Sequence, residues 1–196
     1  RYIGEKKLIK HQQFVMVANH NSHADGVTLM TSVPVDRLAI TYPVAAEDYF
    51  GKSKISAFLS WFLINLLLIP RKRDDKNPKR DPIFILDSYL KNGKSLIFFP
   101  EGSRGKAGKI QVFKKGLGHL MKENMNIPII PVYLEGIGRV LPKGNKIMLP
   151  GITKIYFGNP IFLENESVEE IVEKAENAVH DLKNRCDNNN SSNLRE

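Results

Sequence analysis

The chain is poor in cysteine, tryptophan and long apolar runs. Its one cysteine, Cys186, excludes an intrachain disulfide and argues against a cysteine-based zinc site. Set in polar sequence, Cys186 is expected to be a surface thiol. No segment has the order of a secretory signal. The most apolar stretch, Ile55 to Pro70, has 16 residues and includes two serines and an asparagine. A spanning helix needs roughly 20 apolar residues. Two readings remain: a buried helix running into a strand, or a surface dipping into a membrane interface. Lys52 and Lys54 before it and Arg71, Lys72 and Arg73 after it suit anionic headgroups. The chain opens at Arg1, so a processed form, a fragment or one domain of a longer protein is expected.

What is abundant is positive charge: 29 basic against 21 acidic residues give a net charge of +8 over 196 residues. Such an excess suits nucleic acid, anionic membrane or phosphorylated small molecules. The length is that of one domain with a real core. Apolar patterns alternate in type. Strands are expected at 14–17, 37–44, 66–69, 95–100, 127–134 and 154–158. Helices are expected at 26–32, 57–65, 82–92, 113–124 and 167–185. Asp81 would cap the helix that begins at Pro82, and Ser167 with Glu170 forms a capping box. Alternating strands and helices predict an α/β fold: a mixed, largely parallel sheet flanked by helices. Residues 1–186 would be a single domain, and the Asn/Ser-rich residues 187–196 a disordered tail.

Chemistry concentrates in Ala18 to Gly26, A-N-H-N-S-H-A-D-G. A strand ending near Asn19 puts His20 at its tip. Asp25 falls near the start of the next helix, where it can cap free N–H groups. A chain reversal brings its carboxylate back to the imidazole, fixing one ring nitrogen and leaving the other as a base. A second signal is Phe98 to Gly105, F-F-P-E-G-S-R-G. Loops at the carboxyl ends of strands bind ligands in α/β proteins. Gly102 and Gly105 permit close backbone approach, and the Arg104 fork suits phosphate. A third is the basic run Arg71-Lys72-Arg73 leaving an apolar strand. Taken alone, the second and third are equally compatible with solvated surface loops.

These stretches, in this order, resemble the glycerolipid acyltransferase family, typified by 1-acylglycerol-3-phosphate acyltransferases. The first family motif, N-H-x-S-x-x-D, is matched by Asn19 to Asp25. The third, F-P-E-G-x-R, is matched by Phe99 to Arg104. The second ends in an arginine after an apolar strand, either Arg71 or Arg73, with Arg73 preferred. The fourth is matched by Ile129-Ile130-Pro131-Val132. The resemblance covers roughly Gln12 to Phe162. It implies a one-domain acyltransferase in which His20 is the general base, oriented by Asp25. The acyl donor would be an acyl-CoA or acyl carrier protein thioester, a co-substrate, with no other cofactor. The acceptor would be a lysophospholipid, first 1-acylglycerol 3-phosphate, otherwise glycerol 3-phosphate or another lysophospholipid. Arg73, Glu101, Gly102, Ser103 and Arg104 would bind it, with Arg104 the main phosphate contact. No acyl-enzyme is needed, which agrees with the lack of a nucleophile elbow. The enzyme would be membrane-associated, with its catalytic domain on the cytoplasmic side.

Other readings are weaker. His20, His23 and Asp25 fall short of a metallo-β-lactamase H-x-H-x-D-H pattern, because the first spacing is wrong and Gly26 replaces the last histidine. The remaining histidines are scattered, so no metal is expected. The basic clusters at 72–80 and 106–115 lack the aromatic interleaving or recognition helix of a nucleic-acid module. An idle scaffold of the same fold would not need both His20 and Asp25.

Overall fold

The computed structural model describes residues 2–4, 11–49, 65–72, 77–140 and 151–192. Seven strands form one sheet: β1 (Tyr2–Ile3), β2 (Val15–Ala18), β3 (Thr41–Ala46), β4 (Leu67–Ile69), β5 (Ser95–Phe98), β6 (Ile129–Glu135) and β7 (Lys154–Phe157). Their order is β1-β7-β6-β2-β5-β3-β4. β2 pairs in parallel with β5 and β6, and β3 in parallel with β5 and β4. β7 runs antiparallel to β6, and β1 lies parallel to β7. The fold is therefore the expected mixed, largely parallel sheet. The helices among the described residues are α1 (Asp25–Met30), α2 (Val35–Leu38), α3 (Pro82–Lys91), α4 (Gly116–Lys122), α5 (Ile137–Val140) and α6 (Val168–Ser192).

The period of two along each strand divides the core. Val15 and Val17 of β2 join Leu86 and Leu90 of α3, Leu117 and Leu120 of α4, and Ile171 and Val179 of α6. Met16 and Ala18 point the other way, into a cluster with Leu29 and Met30 of α1 and Ile137 and Val140 of α5. Helices cover both faces, which is why the central strands read as unbroken apolar runs. The caps form as the sequence indicates. Asp81 Oδ1 accepts from Ile83 N at 2.8 Å, and Ser167 and Glu170 exchange backbone-to-side-chain hydrogen bonds. The parallel strands β2, β4 and β5 all deliver their following loops to one edge of the sheet, where the sequence motifs lie.

Three expectations need correction. Arg37 and Leu38 belong to the short helix α2, and β3 begins only at Thr41. A turn of helix after Pro34 satisfies their backbone before the chain enters the sheet, as Arg37 N donates to Pro34 O. The polar tail does not begin at residue 187, because α6 continues to Ser192. Cys186 is not a surface thiol; it is 0% exposed and belongs to the core. It extends the stripe Ile171, Ala175, Val179 and Leu182 by one more turn, which explains both its burial and the longer helix. The helix expected at 57–65 lies almost entirely outside the described residues.

Burial also raises the Cys186 thiol pKa, so little thiolate forms near neutral pH. A water-soluble thiol reagent should therefore label native protein at least about tenfold more slowly than urea-unfolded protein. Equal labelling rates would contradict the buried placement.

Candidate active site

The site is organised around one buried carboxylate oxygen. Asp25 is the first residue of α1 and is 0% exposed. Its Oδ2 accepts from His20 Nδ1 at 2.9 Å, Asn21 N at 2.7 Å and Ser22 N at 2.8 Å. Asp25 thus gathers the N–H groups of the loop preceding α1 instead of capping the helix itself. An ionised carboxylate only accepts, so the shared hydrogen with His20 belongs to Nδ1. That leaves the Nε2 lone pair available as a base. The imidazole stacks on Phe99 with centroids 4.4 Å apart and keeps 22% of its side chain exposed. Orientation and access are therefore both provided.

The loop after β5 is locked to this loop. Glu101 is 2% exposed. Its Oε1 accepts from His20 N at 2.9 Å, and its Oε2 accepts from Gln111 Nε2 at 2.9 Å. Gln111 Nε2 also donates to Ser103 O at 2.9 Å. Burial raises the Glu101 pKa, and the His20 and Gln111 donors act against that rise. Gly105 N donates to His20 O at 2.8 Å. Asn21 Nδ2 donates to Lys106 O at 2.8 Å and Lys109 O at 3.0 Å. Asn19 joins the loop to β6 through both its amide atoms, which bond Leu134 N and O at 2.7 and 3.1 Å.

Cations gather beside this frame. Arg104 Nη1 bonds His23 Nε2. Guanidinium can only donate, so that nitrogen of His23 is the acceptor. Burial first, then the charges of Arg104 and His20, lower the His23 pKa and favour the neutral ring. Arg71 Nη1 donates to Gly102 O at 3.0 Å, while its Nε bonds Asp48 Oδ2 at 2.6 Å. Gly102 has φ +69°, and a Cβ there would lie 2.8 Å from Lys114 Nζ. Glycine is favoured here by its left-handed conformation, and the flexible end of Lys114 lies beside it.

His20, Asp25, Glu101, Gly102, Ser103 and Arg104 are therefore brought together. Gly102 and Ser103 are exposed, Arg104 is half-buried and Glu101 is turned inward. Arg73 lies outside the described residues, and the arginine seen against the loop is Arg71. Sequence reasoning left Asn21, Gln111 and Lys114 unassigned and gave His23 no task. Asn21 carried a weak signal as an amide inside a dense polar motif. Gln111 and Lys114 carried none, since only the fold returns them to Glu101 and Gly102. Among the described residues, no group of three His, Cys, Asp or Glu side chains is placed to hold a metal ion.

Gln111→Leu would remove one donor from the buried Glu101 carboxylate. The donor stabilises only the charged form, so its loss raises the Glu101 pKa further above the unfolded value. The cost therefore appears as pH rises through the Glu101 pKa and is small below the unfolded carboxylate range. Expected is a loss of about 1–3 kcal/mol at pH 8 that shrinks towards pH 4, measured by urea unfolding. A pH-independent loss would contradict the Gln111–Glu101 bond.

The Acyltransferase family model matches residues 1–135. A chloroplastic 1-acyl-sn-glycerol-3-phosphate acyltransferase of Brassica napus, BAT2, is 29% identical over 153 residues, covering 76% of this chain and 40% of its own. The alpha 1-acyl-sn-glycerol-3-phosphate acyltransferase of Mus musculus is 26% identical over 176 residues, covering 87% of this chain and 58% of its own. The chain thus spans about 40% of the length of the plant relative. The crystal structure of the 1-acyl-sn-glycerophosphate acyltransferase PlsC from Thermotoga maritima superposes with a TM-score of 0.67 at 24% identity, covering 93% of this chain and 70% of that one. That likeness concerns the fold. With the family match extending over most of the sequence, from β1 through β6, the chain belongs to the Acyltransferase family.

Proposed function

We propose that the chain transfers a fatty acyl group from a thioester to a hydroxyl of a lysophospholipid, first 1-acylglycerol 3-phosphate, to form phosphatidic acid. The observation that carries this reading is the His20 Nδ1–Asp25 Oδ2 bond of 2.9 Å beside the cations Arg104 and Arg71. His20 Nε2 takes the hydroxyl proton as the oxygen attacks the thioester carbonyl. The tetrahedral intermediate then collapses, the C–S bond breaks, and the imidazolium returns the proton to the leaving thiolate. Asp25 stabilises the transient imidazolium and keeps the ring in the productive tautomer. The acyl-CoA or acyl carrier protein is consumed as co-substrate, and no further cofactor takes part.

The acceptor's phosphate is assigned to Arg104, helped by Arg71 and the exposed backbone at Gly102 and Ser103. The role first given to Arg73 passes to Arg71 on the strength of its bond to Gly102 O. Glu101 has both oxygens occupied, so its task is to hold the His20 backbone and not to contact the acceptor. The named relatives use 1-acyl-sn-glycerol 3-phosphate, which favours that acceptor over glycerol 3-phosphate or another lysophospholipid. Such an acceptor resides in a bilayer, so the chain works at a membrane surface, on the cytoplasmic side. Among the described residues no helix is long and apolar enough to cross a membrane.

His20→Ala should lower kcat by about 10²–10⁴-fold with the unfolding midpoint nearly unchanged, and turnover near wild type would sink the mechanism. Arg104→Ala should raise KM for the phosphorylated acceptor by roughly tenfold to a hundredfold, with a smaller change in thioester KM. Steady-state assays varying each substrate separate the two. A labelled acyl-CoA offered with lysophosphatidic acid, glycerol 3-phosphate and other lysolipids decides the acceptor by the product formed.

A further inference from the structure

We propose that the exposed face of residues 106–115 is the surface by which this chain docks on an anionic lipid bilayer. From Gly102 to Lys115 there are five basic residues (Arg104, Lys106, Lys109, Lys114, Lys115) and no acidic one. Lys106, Lys109 and Lys114 are exposed and form no ion pair with any described residue. Lys115 is paired with Glu169 at 2.7 Å and contributes less. Among these lysines stands Val112, an aliphatic residue with 78% of its surface exposed. Its neighbours Ile110 and Gln111 are partly covered, and Phe113 is buried. An exposed aliphatic in a short stretch of exposed lysines suits the headgroup layer of an anionic membrane. A purely phosphate-binding loop has no use for it.

The segment is also held rigidly, without regular secondary structure of its own up to residue 115. Asn21, which is 3% exposed, bonds the carbonyls of Lys106 and Lys109. Gly138 of α5 packs behind it, since a Cβ there would lie 3.0 Å from Ala107 Cβ and 3.1 Å from Asn21 Cβ. The lysine side chains point outward from a backbone bonded to the residue after His20. Docking this face would therefore set the catalytic loop at a fixed height over the headgroups. The inference extends the bilayer acceptor proposed above, but its test needs no turnover.

The test is vesicle binding of the whole chain, with phosphatidylcholine alone and with phosphatidylcholine containing phosphatidylglycerol. Each lysine at an anionic surface contributes about fivefold to partitioning. Lys106→Ala/Lys109→Ala should therefore bind the anionic vesicles about 25-fold more weakly than wild type, with little change on neutral vesicles. Val112→Asp should lose at least about tenfold on the same anionic vesicles. The altered side chains are exposed and the Asn21 bonds are to main-chain carbonyls, so unfolding midpoints should stay unchanged. A soluble short-chain acceptor gives a second reading, in which thioester KM stays as in wild type. Wild-type vesicle affinity in both variants would overturn the proposal. So would a raised thioester KM with vesicle affinity unchanged, which would assign the lysines to the acyl donor's phosphates.

Discussion

The active-site arrangement depends on one carboxylate oxygen. Asp25 Oδ2 holds the His20 imidazole and the backbone N–H groups of Asn21 and Ser22. A buried carboxylate is costly unless such donors surround it. Here the donors to Oδ2 are the loop itself, so burying Asp25 and closing the loop go together. The resulting turn folds the chain back so that a residue five positions earlier meets the carboxylate. His20 acquires its tautomer and its orientation from that closure. Phe99 then supports the ring from the neighbouring strand's loop.

Around that centre the structure repeats one device, a buried polar side chain bonding the main chain of a different loop. Asn19 reaches β6, Asn21 reaches residues 106 and 109, and Glu101 reaches His20 N. Gln111 closes the set by bonding both Glu101 and Ser103. Asn19, Asn21 and Glu101 are buried with partners and Gln111 is partly covered, which makes a stiff network out of loops that have little regular structure. The cations Arg71, Arg104 and Lys114 sit on the outer side of this network. The proposed base and the proposed phosphate-binding arginines are thereby fixed relative to each other, which is what positioning catalysis requires.

Much of this was legible in the sequence, for identifiable reasons. Burial on both faces made β2, β5 and β6 continuous apolar runs, and α3 and α6 carried clear caps. His20 and Asp25 could be paired because the turn between them is short. The direction of Glu101 was not legible, because it is set by His20 N and by Gln111, a distant partner that sequence spacing does not reveal. Arg71 and Arg73 could not be separated by pattern, since both follow the same strand. Cys186 was misjudged because polar neighbours masked a stripe that continues one turn beyond Leu182. The short helix at Val35–Leu38 was missed because four residues leave no periodicity to detect.

The chemistry follows from these constraints with few additions. A base held by Asp25 beside Arg71 and Arg104 suits the proposed direct transfer between a thioester and a hydroxyl. The central claim is that Asp25 makes His20 an Nε2 base, and nitrogen-15 NMR of histidine-labelled protein at mildly alkaline pH tests it most directly. The account predicts a His20 signal with Nδ1 protonated and Nε2 bare, shifting towards a tautomer mixture in Asp25→Asn. A wild-type ring protonated at Nε2, with Nδ1 bare, would contradict it.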